Sequence, residues 1–184
     1  MQKQVTIKRI AMNAIMIAIY VILTLLAIPV GGLKITFEHF PVVLCAVIFG
    51  PADAMLVGGL GELLNQMMTF GFTPTTMLWI LPIIVRGFIV GFGGKLLKKE
   101  ISISAIIGER VPVIFMIACI FSGVIASLLN TFALYVDSRM FGYYSFAMVF
   151  GSLAVRILLG VLTSIGIGIA IKPIIHALRH ARLI

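Results

Sequence analysis

The sequence has 184 residues, of which 61% are hydrophobic and only 11% are charged, and its mean hydropathy is +1.21. A soluble domain carries about 25% charged residues, so this composition excludes an ordinary soluble domain and makes the lipid bilayer the expected solvent. The net charge of +8 comes from basic residues at the ends of apolar runs, which argues against nucleic acid binding. The length fits a single transmembrane domain over residues 1–184.

Apolar segments along the chain predict an all-α integral membrane protein with six transmembrane helices. The helices are predicted at residues 7–28, 39–50, 52–69, 76–97, 110–136 and 146–178. The basic N-terminus resembles a signal peptide, but the apolar run after it has no small-residue cleavage site, so we expect it to remain as a span. The connector GGLKITFEHF alternates apolar and polar residues and predicts a short extended or amphipathic loop.

The positions of the basic residues predict the orientation of these helices. With the N-terminus inside, only Lys34 and Arg139 fall on the outside of the membrane. The cytoplasmic side then collects ten basic residues: Lys3, Lys8, Arg9, Lys95, Lys98, Lys99, Arg110, Lys172, Arg179 and Arg182. Both termini are therefore expected to be cytoplasmic.

Several polar residues lie where hydrocarbon is expected. On the third helix, Glu62 is followed by Asn65 and Gln66 at spacings of three and four residues, which puts them on one helix face. On the fourth helix, Trp79 and Arg86 share a face because they are two turns apart. A charged side chain at the centre of a bilayer costs roughly 2.5–3.5 kcal/mol, so a compensating contact is expected.

In the predicted topology these groups, together with Asn130 in the outer half of the fifth helix, converge below the outer surface. Such a cluster predicts a substrate-binding pocket for a small, polar, anionic molecule. The alternative is structural. Glu62 and Arg86 would pair with each other, the amides would join helices, and Trp79 would belong to an interfacial belt. Arg156 would line the pocket or pair with a carboxylate, and His39 would be a loop residue or a ligand contact.

Motifs for enzymatic chemistry are absent from the sequence. There is no His-Glu-x-x-His, no Gly-x-Ser-x-Gly and no phosphate-binding loop, so we expect no catalytic residue, and ATP use would belong to a partner. Cys45 and Cys119 fall inside predicted spans without a Cys/His cluster nearby, so we expect buried apolar side chains, no metal and no cofactor.

Two stretches carry a resemblance to a known family. The first helix, RIAMNAIMIAIYVIL, contains Ala14-x-x-x-Ala18, and the central stretch reads LKITFEHFPVVLCAVIFGPADAMLVGGLGELLNQ. Together they resemble the substrate-binding S components of energy-coupling factor (ECF) vitamin transporters, which are six-helix proteins of about this size. The likeness extends over nearly the whole chain at the level of pattern.

The resemblance implies a multi-pass protein of the bacterial cell membrane that binds a vitamin beneath its outer loops. It implies docking through Ala14 and Ala18 on a transmembrane coupling subunit (T component) that works with two ABC ATPases, and delivery of the vitamin by toppling in the membrane. Ligand-facing roles for Glu62, Asn65 and Gln66, with Arg86, would then explain their position in the bilayer.

The identity of the vitamin is inferred from the charges. A buried arginine suits a carboxylate, and a glutamate beside amides suits hydroxyl and amide donors, so pantothenate is the leading candidate. Folate is the first alternative, and riboflavin, pyridoxine or a pyrimidine precursor follow. An accessory membrane protein without a ligand, whose polar pairs are structural, is the remaining alternative.

Overall fold

The computed structural model describes residues 2–30, 33–98 and 113–180. These ranges contain the helices α1 (Gln2–Leu25), α2 (His39–Ile48), α3 (Pro51–Phe70), α4 (Thr76–Lys98), α5 (Val113–Met140), α6 (Phe146–Phe150) and α7 (Leu153–His180). Two short strands, β1 (Ile28–Val30) and β2 (Leu33–Ile35), form an antiparallel hairpin between α1 and α2. The predicted helical membrane fold is confirmed, and part of the connector that was predicted to be extended is a strand.

The last predicted helix, 146–178, is two helices in the structure. The short α6 ends where the Gly151 backbone N–H donates to the Ala147 carbonyl, and α7 begins after Ser152. Glycine is a poor helix former and serine favours a position just before a helix, so this pair interrupts the helical pattern. Predicted residues 110–112 of the fifth helix and the connector over residues 99–109 lie outside the described ranges.

Helices α1 and α3 run parallel to each other. At one end, Arg9 Nε donates to Asp53 Oδ1 at 3.0 Å, and further along the Tyr20 hydroxyl donates to Glu62 Oε2 at 2.9 Å. The order of residues is therefore the same on both helices. Helix α2 must return from the hairpin to the Arg9 end to connect them.

The later helices alternate in direction. The start of α3 lies beside the later part of α4, because a Cβ on Gly91 would lie 2.4 Å from Pro51 Cα. The middle of α3 lies beside an earlier part of α4, because a Cβ on Gly58 would lie 3.0 Å from Ile83. These two helices are therefore antiparallel. Helices α4 and α5 are also antiparallel, because Thr75, just before α4, bonds to Asp137 near the end of α5. Helices α5 and α7 are antiparallel as well, and they approach closely where a Cβ on Gly123 would lie 2.4 Å from Ser164 Oγ. The two ends of the described chain therefore lie at the same end of the bundle.

Helix α2 forms the centre of the bundle. Its residues from Pro41 to Val47 are all buried, and it packs against α1, α3, α4 and α7. A helix that is apolar on every side is stable only when it is enclosed. Its ten residues rise about 15 Å, roughly half of the hydrocarbon thickness, so α2 is a short internal pass.

Four apolar stretches are long enough to cross a membrane: Ile7–Leu25 of α1, Thr76–Gly93 of α4, Val113–Met140 of α5, and Phe146–Leu178 over α6 and α7. Their outward faces carry large apolar side chains, such as Ile22 at 55% exposure and Leu162 at 55% exposure. Helix α3 has 20 residues but includes Asp53 and Glu62, so it is less apolar. The prediction of six full spans is thus supported for four stretches.

The contact between Gly91 and Pro51 leaves no room for a side chain. Gly91→Ala would place a methyl group 2.4 Å from backbone Cα, and we expect overpacking to cost roughly 1–3 kcal/mol of folding stability. Thermal unfolding of the purified protein measures the loss. Gly166→Ala is the matched control, since no heavy atom lies within 4 Å of its added Cβ. Equal melting temperatures for both variants would contradict this packing.

Candidate functional site

Glu62 is the acceptor at the centre of a buried hydrogen-bond cluster. Its Oε1 accepts from Gln66 Nε2 at 2.6 Å, and its Oε2 accepts from Asn65 Nδ2 at 3.1 Å and from the Tyr20 hydroxyl at 2.9 Å. The three- and four-residue spacings on α3 bring the two amides to the carboxylate. The predicted grouping of Glu62, Asn65 and Gln66 is present, and Tyr20 of α1 is an additional member. Three donors occupy most of the acceptor capacity of this carboxylate.

Arg86 is the largest fully buried side chain in the described ranges, with 1% exposure. Its Nη2 donates to Ser164 Oγ on α7 at 2.9 Å, while its Nε is buried without a hydrogen-bond partner. Among the described residues it forms no ion pair with Glu62 or with any other carboxylate. The structural alternative, in which Glu62 pairs with Arg86, is therefore not formed among the described residues, and the Arg86 Nε–H has no acceptor there.

Small residues allow Ser164 to reach Arg86. A Cβ on Gly160 of α7 would lie 2.6 Å from Ser127 Oγ of α5. A Cβ on Gly123 of α5 would lie 2.4 Å from Ser164 Oγ of α7. Small residues at such a seam let two membrane helices pack with their backbones close together. Ser164 also donates to the Gly160 carbonyl at 2.6 Å, which orients its oxygen lone pairs toward Arg86.

Glu38 and His39, at the junction between the hairpin and α2, belong to the same region. Their side chains are 17% and 18% exposed, His39 Nε2 lies 3.9 Å from Glu38 Oε1, and His39 Nδ1 is buried without a partner. Burial and the charge of Glu62 raise the pKa of the Glu38 carboxyl to about 7, although Arg86 acts in the opposite direction. Sequence analysis did not select Glu38. The connector alternates apolar and polar residues, which places Glu38 on the same face as Thr36. This alternation was the signal in the sequence that could have identified Glu38.

The other predicted site residues are more peripheral. Trp79 and Asn130 are partly buried on α4 and α5, and in the described part of the chain neither side chain bonds to Glu62 or Arg86. Arg156 is partly buried, and its Nη2 donates to the Met148 carbonyl at 3.5 Å. The structure therefore does not bring Arg156 into the cluster.

Both ends of the bundle are closed by polar contacts. At the end that holds the chain termini, Asn13 Nδ2 and Arg9 bind Asp53, and Cys45 Sγ donates to Asn13 Oδ1 at 3.4 Å. At the opposite end, Thr75 and Tyr143 both donate to Asp137 and so connect the loop after α3 to the loop after α5. The Glu62–Arg86 region lies between these two networks.

The predicted docking residues face outward. Ala14 and Ala18 are both exposed, whereas Met12, Met16 and Tyr20 of the same helix are buried in the bundle. Cys45 and Cys119 are buried free thiols, as expected. Across the part of the chain that the structure describes, no group of three metal-ligating side chains is arranged to hold an ion.

Comparisons with known proteins agree with this architecture. The family model for the S component of the ECF-type riboflavin transporter matches residues 4–180. A solved S component of a bacterial ECF transporter is similar in fold, with a TM-score of 0.65 and 18% sequence identity over 95% of this chain and 97% of that one. No curated protein matches this chain in sequence.

The contact between Ser164 and Arg86 can be tested through stability. Ser164→Ala would leave Nη2 of a buried cation without an acceptor, and we expect a loss of roughly 1.5–3 kcal/mol. The thermal unfolding temperature of the purified protein measures it. Ser122→Ala is the matched control, because Ser122 is equally buried but bonds only to the Cys119 carbonyl of its own helix. If both variants unfold at the same temperature, Ser164 does not support Arg86.

Proposed function

The chain belongs to the ECF-type riboflavin transporter S component family, and we propose that it is the high-affinity substrate-binding subunit of an ATP-driven importer for a small anionic vitamin. Members of this family are membrane-embedded transporter components and are not enzymes. The family membership therefore also argues against an accessory protein without a ligand.

The buried guanidinium of Arg86 carries this proposal. It lies about 15 Å along α4 from Thr76, near the middle of the bundle, and its Nε has no hydrogen-bond partner in the described ranges. An uncompensated charge in this position is costly, and a substrate carboxylate would offset that cost through charge-assisted hydrogen bonds. Pantothenate supplies a carboxylate together with hydroxyl and amide groups, so it is our leading candidate.

Riboflavin is the second candidate, and the observation that favours it is the family model itself. Riboflavin is neutral, but its ring carbonyls would accept hydrogen bonds from Arg86, and its hydroxyls would suit the amide oxygens of Asn65 and Gln66. The two vitamins place different demands on the cluster, because only pantothenate brings a formal negative charge to Arg86.

The coupling partners follow from the family and from the placement of charge. We propose that the bundle end holding both chain ends is cytoplasmic, because the predicted inner segments contain ten lysines and arginines. The exposed Ala14 and Ala18 would then face a T component that works with two ABC ATPases. Two small residues one turn apart permit the close approach of a partner helix. Vitamin release would follow from toppling of the S component in the membrane.

Vitamin binding to Arg86 variants tests the proposal. Arg86→Ala should weaken pantothenate binding about tenfold to over a hundredfold, since a hydrogen bond to a charged group contributes roughly 1.5–3 kcal/mol. Arg86→Lys should recover only part of the affinity, because lysine keeps the charge but loses the planar pair of donors. Equilibrium binding of labelled pantothenate and of riboflavin to the purified protein measures both effects.

Arg156→Ala is the matched control for this experiment. It removes an equal charge from a membrane helix at a partly buried position outside the cluster, so we expect wild-type affinity. A folded Arg86→Ala protein that binds pantothenate as tightly as wild type would rule out the carboxylate contact. Tight riboflavin binding with no pantothenate binding would favour the second candidate.

If α1 docks on the T component, large side chains at Ala14 and Ala18 should block vitamin transport without weakening vitamin binding. Ala14→Trp plus Ala18→Trp should abolish vitamin uptake by cells while leaving the affinity of the purified subunit nearly unchanged, because both positions lie outside the polar cluster. Leu158→Trp plus Leu162→Trp is the matched control, with the same spacing on the exposed face of α7. Loss of binding together with uptake in the alanine double variant would show that the alanines pack internally.

A further inference from the structure

Only two buried side-chain nitrogen or oxygen atoms in the described ranges lack a hydrogen-bond partner: Arg86 Nε and His39 Nδ1. They belong to different helices, yet the charge of Arg86 acts on the His39 ring. Buried polar atoms in proteins are almost always paired, so two orphaned donors or acceptors in one region indicate a missing binding partner.

Glu38 is the carboxylate in this region that remains available. Glu62 already accepts from Tyr20, Asn65 and Gln66. Glu38 has fewer partners: the hydroxyls of Thr24 and Thr36 bond to it, and the His39 ring lies 3.9 Å away, so its carboxylate keeps more free acceptor positions than that of Glu62. The groups that face Glu38 come from every surrounding element: Tyr20 and Thr24 of α1, Thr36 before α2, His39 of α2, Glu62 of α3, and Arg86 of α4.

The contacts along α1 give the depth of Glu38 in the bundle. Glu62 meets Tyr20, whereas Glu38 lies by Thr24, which is one helical turn closer to the hairpin. One turn corresponds to about 5.4 Å. Glu38 and His39 therefore lie on the hairpin side of Glu62, with Arg86 within electrostatic reach of both.

We propose that Glu38 and His39 are specificity-determining residues of the vitamin site. They bind the hydroxyl and amide groups of the ligand, while the acceptor group at its other end bonds to Arg86. This inference rests on the proposed function. It assigns the ligand-facing carboxylate to Glu38, while Glu62 orients the amides of α3. The ligand class is a small molecule with an acceptor at one end and hydrogen-bond donors about one helical turn away.

The charge on Glu38 makes the binding dependent on pH. Its pKa of about 7 means that it loses its proton between about pH 6 and pH 8. The ionised form adds a negative charge close to Glu62, which opposes an anionic ligand. Pantothenate affinity should therefore fall as the pH rises through 7. Riboflavin carries no charge that this ionisation would repel, and the ionised carboxylate is the stronger acceptor for its donors, so its affinity should rise.

The test is the pH profile of binding for wild type and for Glu38→Gln. We expect wild-type affinity for pantothenate to be on the order of tenfold weaker at pH 8 than at pH 6. In Glu38→Gln this dependence should disappear, because the carboxyl that changes charge beside Glu62 and Arg86 has been removed. His39→Gln should bind more weakly but retain the pH dependence, which separates the imidazole from the carboxyl.

Asp137→Asn is the matched control, since it neutralises a carboxylate near the same end of the bundle. Asp137 accepts from Thr75 and Tyr143 and does not belong to the proposed vitamin site. The variant should keep the wild-type pH profile. A Glu38→Gln protein with wild-type affinity and profile would overturn this inference alone. A flat wild-type profile for a vitamin that binds would overturn it without any variant. A wild type that binds neither vitamin would instead overturn the proposed function and this inference with it.

Discussion

The placement of one guanidinium in an apolar bundle constrains most of this structure. Arg86 is 1% exposed, and its acceptor among the described residues is the hydroxyl of Ser164, 78 residues away in sequence. Ser164 reaches it because glycines at positions 123 and 160 let α5 and α7 approach closely. The seam of small residues, the buried α2 and the polar cluster are therefore parts of one arrangement around a charge that no described carboxylate neutralises.

The polar groups divide into those that the fold satisfies and those that it leaves open. Arg9 with Asp53 closes one end of the bundle, and Asp137 closes the other through Thr75 and Tyr143. Glu62 is likewise occupied by donors from α1 and α3. The open groups are nitrogens of Arg86 and His39, with the Glu38 carboxyl beside them. An unsatisfied set that lies between two satisfied networks is the pattern expected of a site that is completed by a ligand.

Much of the helical scaffold could be predicted from local signals. The Gly50–Pro51 turn marked the start of α3, and the threonines after Gly71 marked the loop before α4, so the predicted ranges 52–69 and 76–97 differ from the observed helices by one residue at most. The face shared by Glu62, Asn65 and Gln66 followed from helical periodicity alone. The break at Gly151 was missed because apolar residues continue on both sides of it.

Long-range contacts were beyond the reach of sequence analysis. Nothing in the local pattern connects Arg86 to Ser164, and sequence analysis left open a structural pair of Glu62 with Arg86 that the described helices do not form. Glu38 was overlooked because it precedes α2 in a connector, where an acidic residue is ordinary. Only the return of that connector against α1 encloses it.

We propose that a bound vitamin completes the hydrogen bonding of Arg86. Native mass spectrometry of the wild-type subunit, purified without added vitamin and compared with Arg86→Ala, tests it most directly. We expect the wild type to retain a small molecule with the mass of pantothenate or riboflavin, and Arg86→Ala to lack it. A wild-type protein that carries no such molecule, and that acquires none when either vitamin is added, would contradict it.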